Sequence, residues 1–137
     1  MKAVFADTSY WIALLNPKDS LHKKARSLSE ALGSRPVVTS EMVLTEFLND
    51  CSQRGTALRQ AAVAMVRGLR GKADIFIVPQ SSLQFQEALT LFAERRDKDW
   101  SLTDCSSFKI MKGGRLTQAL THDHHFQQAG FGALLRD

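Results

Sequence analysis

The stretch VFADTS at residues 4–9 decides the fold of this chain. A short apolar, partly β-branched run stops at a carboxylate that is followed by two hydroxyl residues, which is typical of a buried strand giving way to a helix N-terminus. We predict a strand that ends at Asp7 and a short helix through Trp11 and Leu15. Further along the chain, short apolar runs alternate with amphipathic segments in the same way.

The hydrophobic pattern and the capping residues predict the remaining helices and strands. We expect a helix from the Asn16-Pro17 pair to Gly33, because asparagine suits a cap and proline suits the first helical turn. Ser101 and Asp104 have the spacing of a capping box. The other predicted elements are strands at 36–39, 74–78, 116–120 and 131–135, helices from Ser40 to Gly55, at 57–70, from Ser81 and from Ser101 to Gly113-Gly114, and a polar loop at 94–99.

Short strands that are mostly apolar, rather than strictly alternating, indicate a parallel sheet covered on both faces. At 137 residues the chain has the size of one domain. It shows no internal repeat and no composition shift that would mark a linker. We therefore predict a single domain over residues 1–137 with an α/β fold, a three-layer α/β/α sandwich around a central, mostly parallel sheet of four or five strands.

Composition narrows the class of protein. The net charge of +4 permits an anionic partner such as nucleic acid. Two cysteines are too few for a disulfide framework, which favours a reducing compartment. Asp7 interrupts the first apolar run before it could serve as a secretory signal, and no stretch reaches the roughly 18 to 20 apolar residues of a membrane span. We expect a soluble, cytoplasmic protein without a membrane partner.

Four acids occupy comparable places in this predicted order of elements: Asp7 after the first strand, Glu46 in the helix after the second, Asp104 at the start of a late helix and Asp123 after the fourth strand. Ligands of parallel sheets bind at the carboxyl ends of the strands, so we expect these side chains to converge. Clustered carboxylates raise one another's pKa unless a cation lies among them, and all-oxygen sites suit Mg²⁺ or Mn²⁺. The chemistry this predicts is metal-assisted hydrolysis of phosphodiester bonds.

Each acid also has a purely structural interpretation. Asp7 suits a helix cap, Asp104 is the fourth residue of its capping box, and Asp123 suits a turn. Glu46 lies too far into its helix for capping, although glutamates are common on helix surfaces. Residue type and position leave both interpretations open.

Four sequence segments carry the candidate acids. They are VFADTSYWIALL at the start, TEFLND around Glu46, SLTDCSSF around Asp104 and ALTHDHHF around Asp123. In order and spacing they resemble the four acidic motifs of the PIN-domain nuclease family, and in particular its small bacterial VapC-type toxin members. The closing stretch HDHHFQQAGFGALL is also similar to the usual end of that family, so the resemblance covers nearly the whole chain.

The resemblance implies a PIN-like, metal-dependent endoribonuclease. The acids that would bind Mg²⁺ or Mn²⁺ and catalyse hydrolysis are Asp7, Glu46, Asp104 and Asp123. Thr8 or Ser9 would hydrogen-bond near the first carboxylate and Thr121 near the last. The resemblance further implies RNA as substrate, a 5′-phosphate and a 3′-hydroxyl as products, and an antitoxin protein encoded nearby. The alternative is a catalytically silent RNA-binding or scaffold module, and the presence of all four acids argues against it.

The polar loop before the third acidic motif carries the candidate substrate contacts. Its cations, which we expect near RNA phosphates, are Arg95, Arg96 and Lys98. Trp100 is the better placed of the two tryptophans to stack on a base. Asp97 and Asp99 are interpreted as loop acids. The apolar helix face near Trp11 is compatible with a homodimer.

Other chemistries are less well supported. The histidines of the HDHH string are His122, His124 and His125, and they invite a zinc or manganese hydrolase interpretation. Neighbouring residues of a strand point to opposite faces, so we expect solvated loop histidines or contacts to RNA phosphate instead. Cys105 has no evident base and is expected to be buried. A phosphoaspartyl phosphatase would need a DxDxT pattern that Asp7 does not begin.

Overall fold

A computed structural model describes residues 2–136 of the chain. The strands are β1 (Val4–Ala6), β2 (Val37–Ser40), β3 (Ile75–Val78), β4 (Gln118–Leu120) and β5 (Gly132–Ala133). The helices are α1 (Thr8–Leu15), α2 (His22–Leu32), α3 (Glu41–Cys51), α4 (Thr56–Leu69), α5 (Ser82–Glu94), α6 (Leu102–Gly113) and α7 (His124–Gln128). Within residues 2–136, every helix is too short or too polar to cross a lipid bilayer.

The strands form one sheet in the order β3-β2-β1-β4-β5, and all of the described pairs are parallel. β1 lies at the centre, where Phe5 is in register with Val38 of β2 and Ala119 of β4. All three residues of β1 are fully buried, as expected for a strand covered on both faces. The predicted α/β fold is confirmed, with five strands. The order reverses at β1, so a ligand crevice is expected at the carboxyl ends of β1 and β4.

The helices pack in two groups that α3 connects. α1 contacts α2, α3 and α4, whereas α6 contacts α3, α5 and α7. The second group is tied to the sheet by aromatic rings, because the ring of Phe126 lies 6.5 Å from Phe5 and 4.9 Å from Phe108 between centroids. These contacts fix the starts of α6 and α7 relative to β1.

Trp11 belongs to the core, which corrects the predicted exposed face around it. The side chain is 3% exposed, and its indole N–H donates a hydrogen bond to Thr39 Oγ1 (3.2 Å). Thr39 in turn donates to the carbonyl oxygen of Ala6 (2.9 Å), so one chain of hydrogen bonds joins α1, β2 and β1. The large apolar side chains that are exposed lie instead on α5 (Leu83, Phe85, Leu89, Phe92) and at Phe76 and Val63.

α2 begins at His22, so the prediction that it starts at the Asn16-Pro17 pair is wrong. Asn16 Oδ1 accepts a hydrogen bond from the backbone N–H of Lys18, and Asp19 Oδ1 accepts one from Leu21. Such local side-chain bonds stabilise turns in competition with a helix. The turn therefore extends to Leu21.

Other element boundaries also differ from prediction. α3 ends at Cys51, and Gly55 is the residue before α4, where its φ of 95° favours glycine. β4 and β5 are shorter than predicted, at three and two residues respectively. α7 was not predicted, because five residues are too few for a hydrophobic period to be visible.

Candidate active site

Asp7 lies at the carboxyl end of β1 and is 5% exposed. Its backbone N–H donates to the carbonyl oxygen of Leu120 (3.1 Å), which extends the pairing of β1 with β4. Thr121, fully buried at the end of β4, donates its hydroxyl to Asp7 Oδ2 (2.8 Å). The first acid is therefore held by the strand beside it, 114 residues later in the chain.

A small hydroxyl network surrounds this carboxylate. Thr121 Oγ1 accepts a hydrogen bond from the backbone N–H of Asp123 (3.0 Å) and lies 3.2 Å from Ser9 Oγ. Ser9 Oγ accepts from the backbone N–H of His122 (3.0 Å). The Thr8 hydroxyl is buried without a hydrogen-bond partner in the described residues. Thr121 thus joins the first acid to the last.

Burial raises the pKa of Asp7 to about 7. The hydroxyl of Thr121 and the backbone N–H of Thr8 oppose this rise, and the charges of Asp104 and Glu46 add to it. The raised pKa has the expected physical cause, a carboxylate removed from water with other acids nearby. Without a bound cation, the Asp7 carboxyl therefore keeps its proton to a higher pH than an exposed aspartate does.

Asp104 occupies the third position of α6 and completes the predicted capping box. Ser101 Oγ accepts the backbone N–H of Asp104 (3.0 Å), and Asp104 Oδ2 accepts the backbone N–H of Ser101 (3.1 Å). The same Oδ2 lies 2.9 Å from His125 Nδ1. Burial raises the pKa of Asp104, and the charge of Asp123 contributes to the rise, whereas the hydrogen bonds of Ser101 and His125 lower it. Asp104 therefore caps α6 and also belongs to the acid cluster.

Asp123 caps α7 and is half-buried. Its Oδ1 accepts the backbone N–H of His125 (2.9 Å) and lies 3.3 Å from the ring Nδ1 of the same residue. The turn-forming interpretation of Asp123 is therefore correct as geometry. His125 contacts both Asp104 and Asp123, which shows that these two acids lie side by side.

Glu46 is the exposed member of the four acids. It lies in the second turn of α3, and its charge contributes to the raised pKa of Asp7. The structure therefore brings Asp7, Asp104 and Asp123 together through hydrogen bonds, and it relates Glu46 to them only through charge.

The donor set fits a hard divalent cation. In residues 2–136, Asp104 Oδ1 and Asp123 Oδ2 accept no hydrogen bond, because the donors described above occupy the other oxygen of each carboxylate. Arg54, Arg70, Arg95 and Lys98 form ion pairs with Asp50, Glu41 and Asp97 rather than with these two acids. Carboxylate oxygens without a side-chain cation are the ligands that Mg²⁺ and Mn²⁺ prefer.

The predicted substrate contacts divide into two kinds. A groove of about 550 Å³ is lined by Phe92, Ala93, Arg95, Arg96, Lys98, Asp99, Trp100 and Cys105, so it brings the three predicted cations together beside the residue that follows Asp104. Trp100, in contrast, is buried: it packs edge-on against Phe108, donates its indole N–H to Gln128 Oε1 (2.9 Å) and is covered by Arg95 at 4.8 Å. That packing leaves little of the ring for base stacking, contrary to the prediction.

Three other predictions concern neighbouring side chains. Cys105 is fully buried and burial raises the pKa of its thiol to about 11, so it is not a reactive nucleophile. Asp97 is a loop acid, as expected, bound by Arg95 through two hydrogen bonds.

The metal-compatible group in the HDHH string is Asp123, His124 and His125, whose ligand atoms lie within 4.8 Å of one another. The expectation of loop histidines is wrong for His124 and His125, because both lie on α7.

The family model described as the PIN domain matches residues 4–132. The chain belongs to the PIN-domain family. Among curated PIN-domain relatives, the 23S rRNA-specific endonuclease VapC20 of Mycobacterium tuberculosis is 30% identical over 131 residues, which are 93% of this chain and 95% of the relative. The same match is found in a second strain of that species.

Solved structures give the same assignment. The crystal structure of M. tuberculosis VapC20, described as a sarcin-ricin loop cleaving toxin, superposes with a TM-score of 0.83 at 27% identity over 93% of this chain and 95% of that one. The structure of FitAcB from Neisseria gonorrhoeae shares the fold at a TM-score of 0.63 and 14% identity, over 95% and 94% of the two chains. The chain is thus a homologue of a VapC toxin endonuclease.

One contact at this PIN-domain site escaped prediction. Nothing in the sequence pattern linked His125 to Asp104, which lies 21 residues earlier. The signal that could have revealed it was local: an aspartate that can cap a helix, followed by two histidines and the buried Phe126. Had this signal been interpreted as a helix, it would have predicted that one histidine ring faces α6.

Proposed function

We propose that the chain is a single PIN-like domain that acts as a Mg²⁺- or Mn²⁺-dependent endoribonuclease. Its catalytic and metal-binding acids are Asp7, Glu46, Asp104 and Asp123. The observation that carries the proposal is the meeting of three acids from β1, α6 and α7 beside the β1–β4 crevice, with burial raising the pKa of Asp7 to about 7. Homology to the VapC20 endonuclease supports the same activity.

Hydrogen bonds within the chain hold two of the four acids in place. Thr121 orients Asp7, and the capping box orients Asp104. When bound, a divalent cation supplies charge neutralisation at the scissile phosphate and acidification of water. Water then adds to phosphorus as the bond to the 3′ oxygen breaks, which leaves a 5′-phosphate and, after protonation, a 3′-hydroxyl. Asp7, Glu46, Asp104 and Asp123 would hold the ion.

The groove at 92–100 is the part of the surface that we assign to RNA binding. Arg95, Arg96 and Lys98 line it and match the charge of phosphates. Asp97 partly neutralises Arg95 (3.0 Å) and lies 3.9 Å from Lys98, so among the described residues Arg96 provides the freest charge of the three. Cys105, which directly follows Asp104, lines the same groove and relates it to the acid cluster.

Cleavage of RNA by the purified protein tests the proposal. We expect cutting of a mixed RNA pool that includes 23S rRNA in the presence of Mg²⁺ or Mn²⁺, and no cutting in EDTA. Cleavage that survives EDTA would rule out the metal-dependent mechanism. Binding of RNA without cleavage in either ion would instead support the catalytically silent module.

We further propose that the chain is the toxin of a toxin-antitoxin pair. Its homology to a VapC toxin endonuclease supports this role, and the partner would be an antitoxin protein encoded nearby. Expression of the chain in a bacterial host should arrest growth, and co-expression of the small reading frame next to its gene should restore it. Growth that continues at full rate during expression would contradict the toxin role.

The exposed stripe of α5 is the surface that we assign to a homodimer. Phe85 and Leu89 lie one helical turn apart and are 41% and 42% exposed. Large exposed apolar patches usually mark an interface. Light scattering after gel filtration should give the mass of two chains, and Leu89→Asp should give the mass of one. A parent protein that is monomeric at high concentration would exclude this dimer.

A further inference from the structure

His125 contacts both neighbouring acids of the cluster by two different routes. Its backbone N–H donates to Asp123 Oδ1 (2.9 Å), while its ring Nδ1 lies 2.9 Å from Asp104 Oδ2. The ring is largely buried, with 19% of the side chain exposed. His124, next to it on α7, is 58% exposed and lies 3.8 Å from Asp123 through its own Nδ1. The two histidines therefore differ in environment although they are adjacent in sequence.

The hydrogen bond to Asp104 fixes the proton of the His125 ring. An ionised carboxylate oxygen only accepts, and Oδ2 already accepts the backbone N–H of Ser101, so we assign the hydrogen to Nδ1, which donates it to Asp104. A protonated ring nitrogen has no lone pair for a cation, and hard divalent ions prefer oxygen ligands. His125 is therefore a donor to the acids at this nitrogen and not a metal ligand there.

The two carboxylate oxygens of Asp104 therefore differ in their hydrogen bonds. Oδ2 accepts two hydrogen bonds, one from the backbone of Ser101 and one from His125. Oδ1 accepts none from residues 2–136. With both donors in place, the carboxylate cannot rotate without breaking these hydrogen bonds. Oδ1 therefore stays open to a cation.

We propose that His125 is a positioning residue, whose Nδ1–H holds Asp104 beside Asp123 and so prepares both carboxylates for a divalent cation. This inference rests on the proposed metal-dependent function. Outer hydrogen bonds to metal ligands typically change metal affinity or activity by about 10- to 100-fold. His125 is thus expected to determine the Mg²⁺ requirement and to leave the affinity for RNA unchanged.

Two amide substitutions separate this role from a general need for a side chain. Asparagine places an N–H donor near the position of Nδ1, whereas glutamine places it near the position of Nε2. His125→Asn should therefore need Mg²⁺ within about threefold of the parent, and His125→Gln and His125→Ala should need about 10- to 100-fold more. The matched controls are His22→Asn and His22→Gln on α2, where the ring Nδ1 of His22 lies 2.8 Å from the carbonyl oxygen of Ala13, and they should leave the Mg²⁺ requirement unchanged. His124→Asn and His124→Gln show whether the other histidine of the metal-compatible group shares the role.

The first readout is the melting temperature as a function of Mg²⁺ concentration, which does not depend on cleavage. A metal-free melt of each variant at the same pH shows whether it folds, and the Mg²⁺ titration gives the half-saturating concentration. The second readout is the rate of RNA cleavage, separated into kcat and KM for RNA. The rise in Mg²⁺ requirement should appear without a change in KM.

The outcomes distinguish the two proposals. Should the Asn and Gln variants of His125 behave alike, or should neither differ from the parent, the positioning role is wrong. An equal loss in the His124 variants would indicate a metal site made by both histidines and would also overturn it. If Mg²⁺ stabilises the parent but no RNA is cut, the nuclease proposal fails while the His125 pattern is still measured. If Mg²⁺ does not stabilise the parent, both proposals fail.

Discussion

Asp7 and Asp97 carry the same side chain in opposite surroundings. Burial at the end of β1 raises the pKa of Asp7 to about 7, whereas hydrogen bonds from Arg95 lower the pKa of Asp97 to about 2 in the exposed loop. The first carboxylate has other acids as charged neighbours, and the second has Arg95 and Lys98. Water and the paired Arg95 stabilise the charge of Asp97 in the loop. The charge of the buried Asp7 is destabilised by the loss of water unless a cation binds beside it.

The comparison extends to the two regions that hold these acids. The acid cluster is built from buried side chains that hydrogen bonds fix across β1, β4, α6 and α7. The loop at 95–99 offers cations at the surface, where salt screens them. The cluster is therefore suited to chemistry and the loop to attraction of a polyanion.

The largest effect should come from removing the buried charge. Asp7→Asn keeps the shape and an acceptor for Thr121, and we expect RNA cleavage to fall by about 100-fold or more, because removing one preorganised charged group from a catalytic site costs that much. Initial rates at saturating Mg²⁺ measure it. The matched control is Asp74→Asn, at the amino end of the edge strand β3, which should cleave like the parent. Equal rates in all three proteins would exclude Asp7 from catalysis.

The second prediction concerns stability without metal. The pKa of Asp7 is about 7 in the folded state and about 4 in the unfolded chain. Between about pH 4 and pH 7, the folded state therefore still holds a proton that the unfolded chain has released. Its contribution to stability is complete below that window and is lost as the pH rises through 7. The loss should be roughly 2 to 4 kcal/mol by pH 8, since one pKa unit is worth about 1.4 kcal/mol.

Denaturant unfolding of two variants in EDTA, from pH 5 to pH 8, checks this window. Asp7→Asn should remove most of the pH dependence, and Mg²⁺ should restore stability only in the parent. Asp97→Asn should leave the slope unchanged, because Asp97 is ionised in both states throughout this range. A parent protein whose stability is flat from pH 5 to pH 8 would contradict the raised pKa.

A smaller effect should follow from removing the hydroxyl that joins the first and last acids. Thr121→Val deletes the donor that lowers the pKa of Asp7, so that pKa should rise further and the pH–rate profile should move to higher pH. Deleting these buried hydrogen bonds should also cost about 1 to 3 kcal/mol. Thr121→Ser keeps the hydroxyl and should restore the parental profile. A valine variant with an unshifted profile would separate Thr121 from the ionisation of Asp7.

The smallest expected effect lies in the loop. Replacing Arg95, Arg96 and Lys98 by alanine should weaken RNA binding and reduce its salt dependence, by about 0.7 in the logarithmic slope for each phosphate of single-stranded RNA that is no longer neutralised. Affinity measured between low and high salt gives the slope. The metal-free stability should change little because these charges are exposed. An unchanged slope would show that they are only solvated charge.

Much of the fold was determined by the sequence alone. The serines at positions 40, 81 and 101 cap helices as predicted, since each accepts a backbone N–H within its own first turn. The apolar runs of β1 to β4 and the acids that follow β1 and β4 were placed correctly for the same reason. Capping and hydrophobic periodicity act over a few residues, so they can be read without the rest of the molecule.

The properties of the candidate site were decided by the tertiary structure. The pKa of Asp7 depends on Thr121, 114 residues away, and His125 reaches Asp104 only after α6 and α7 have packed on Phe126. Trp100 was predicted to stack on a base and Trp11 to lie on an exposed apolar helix face, and packing buried both. Phe85, Leu89 and Phe92 have the helical spacing of a core face, yet in the folded chain they remain partly in water. Burial, desolvation and hydrogen bonding between distant segments arise from contacts between elements, and a linear pattern records only the elements themselves.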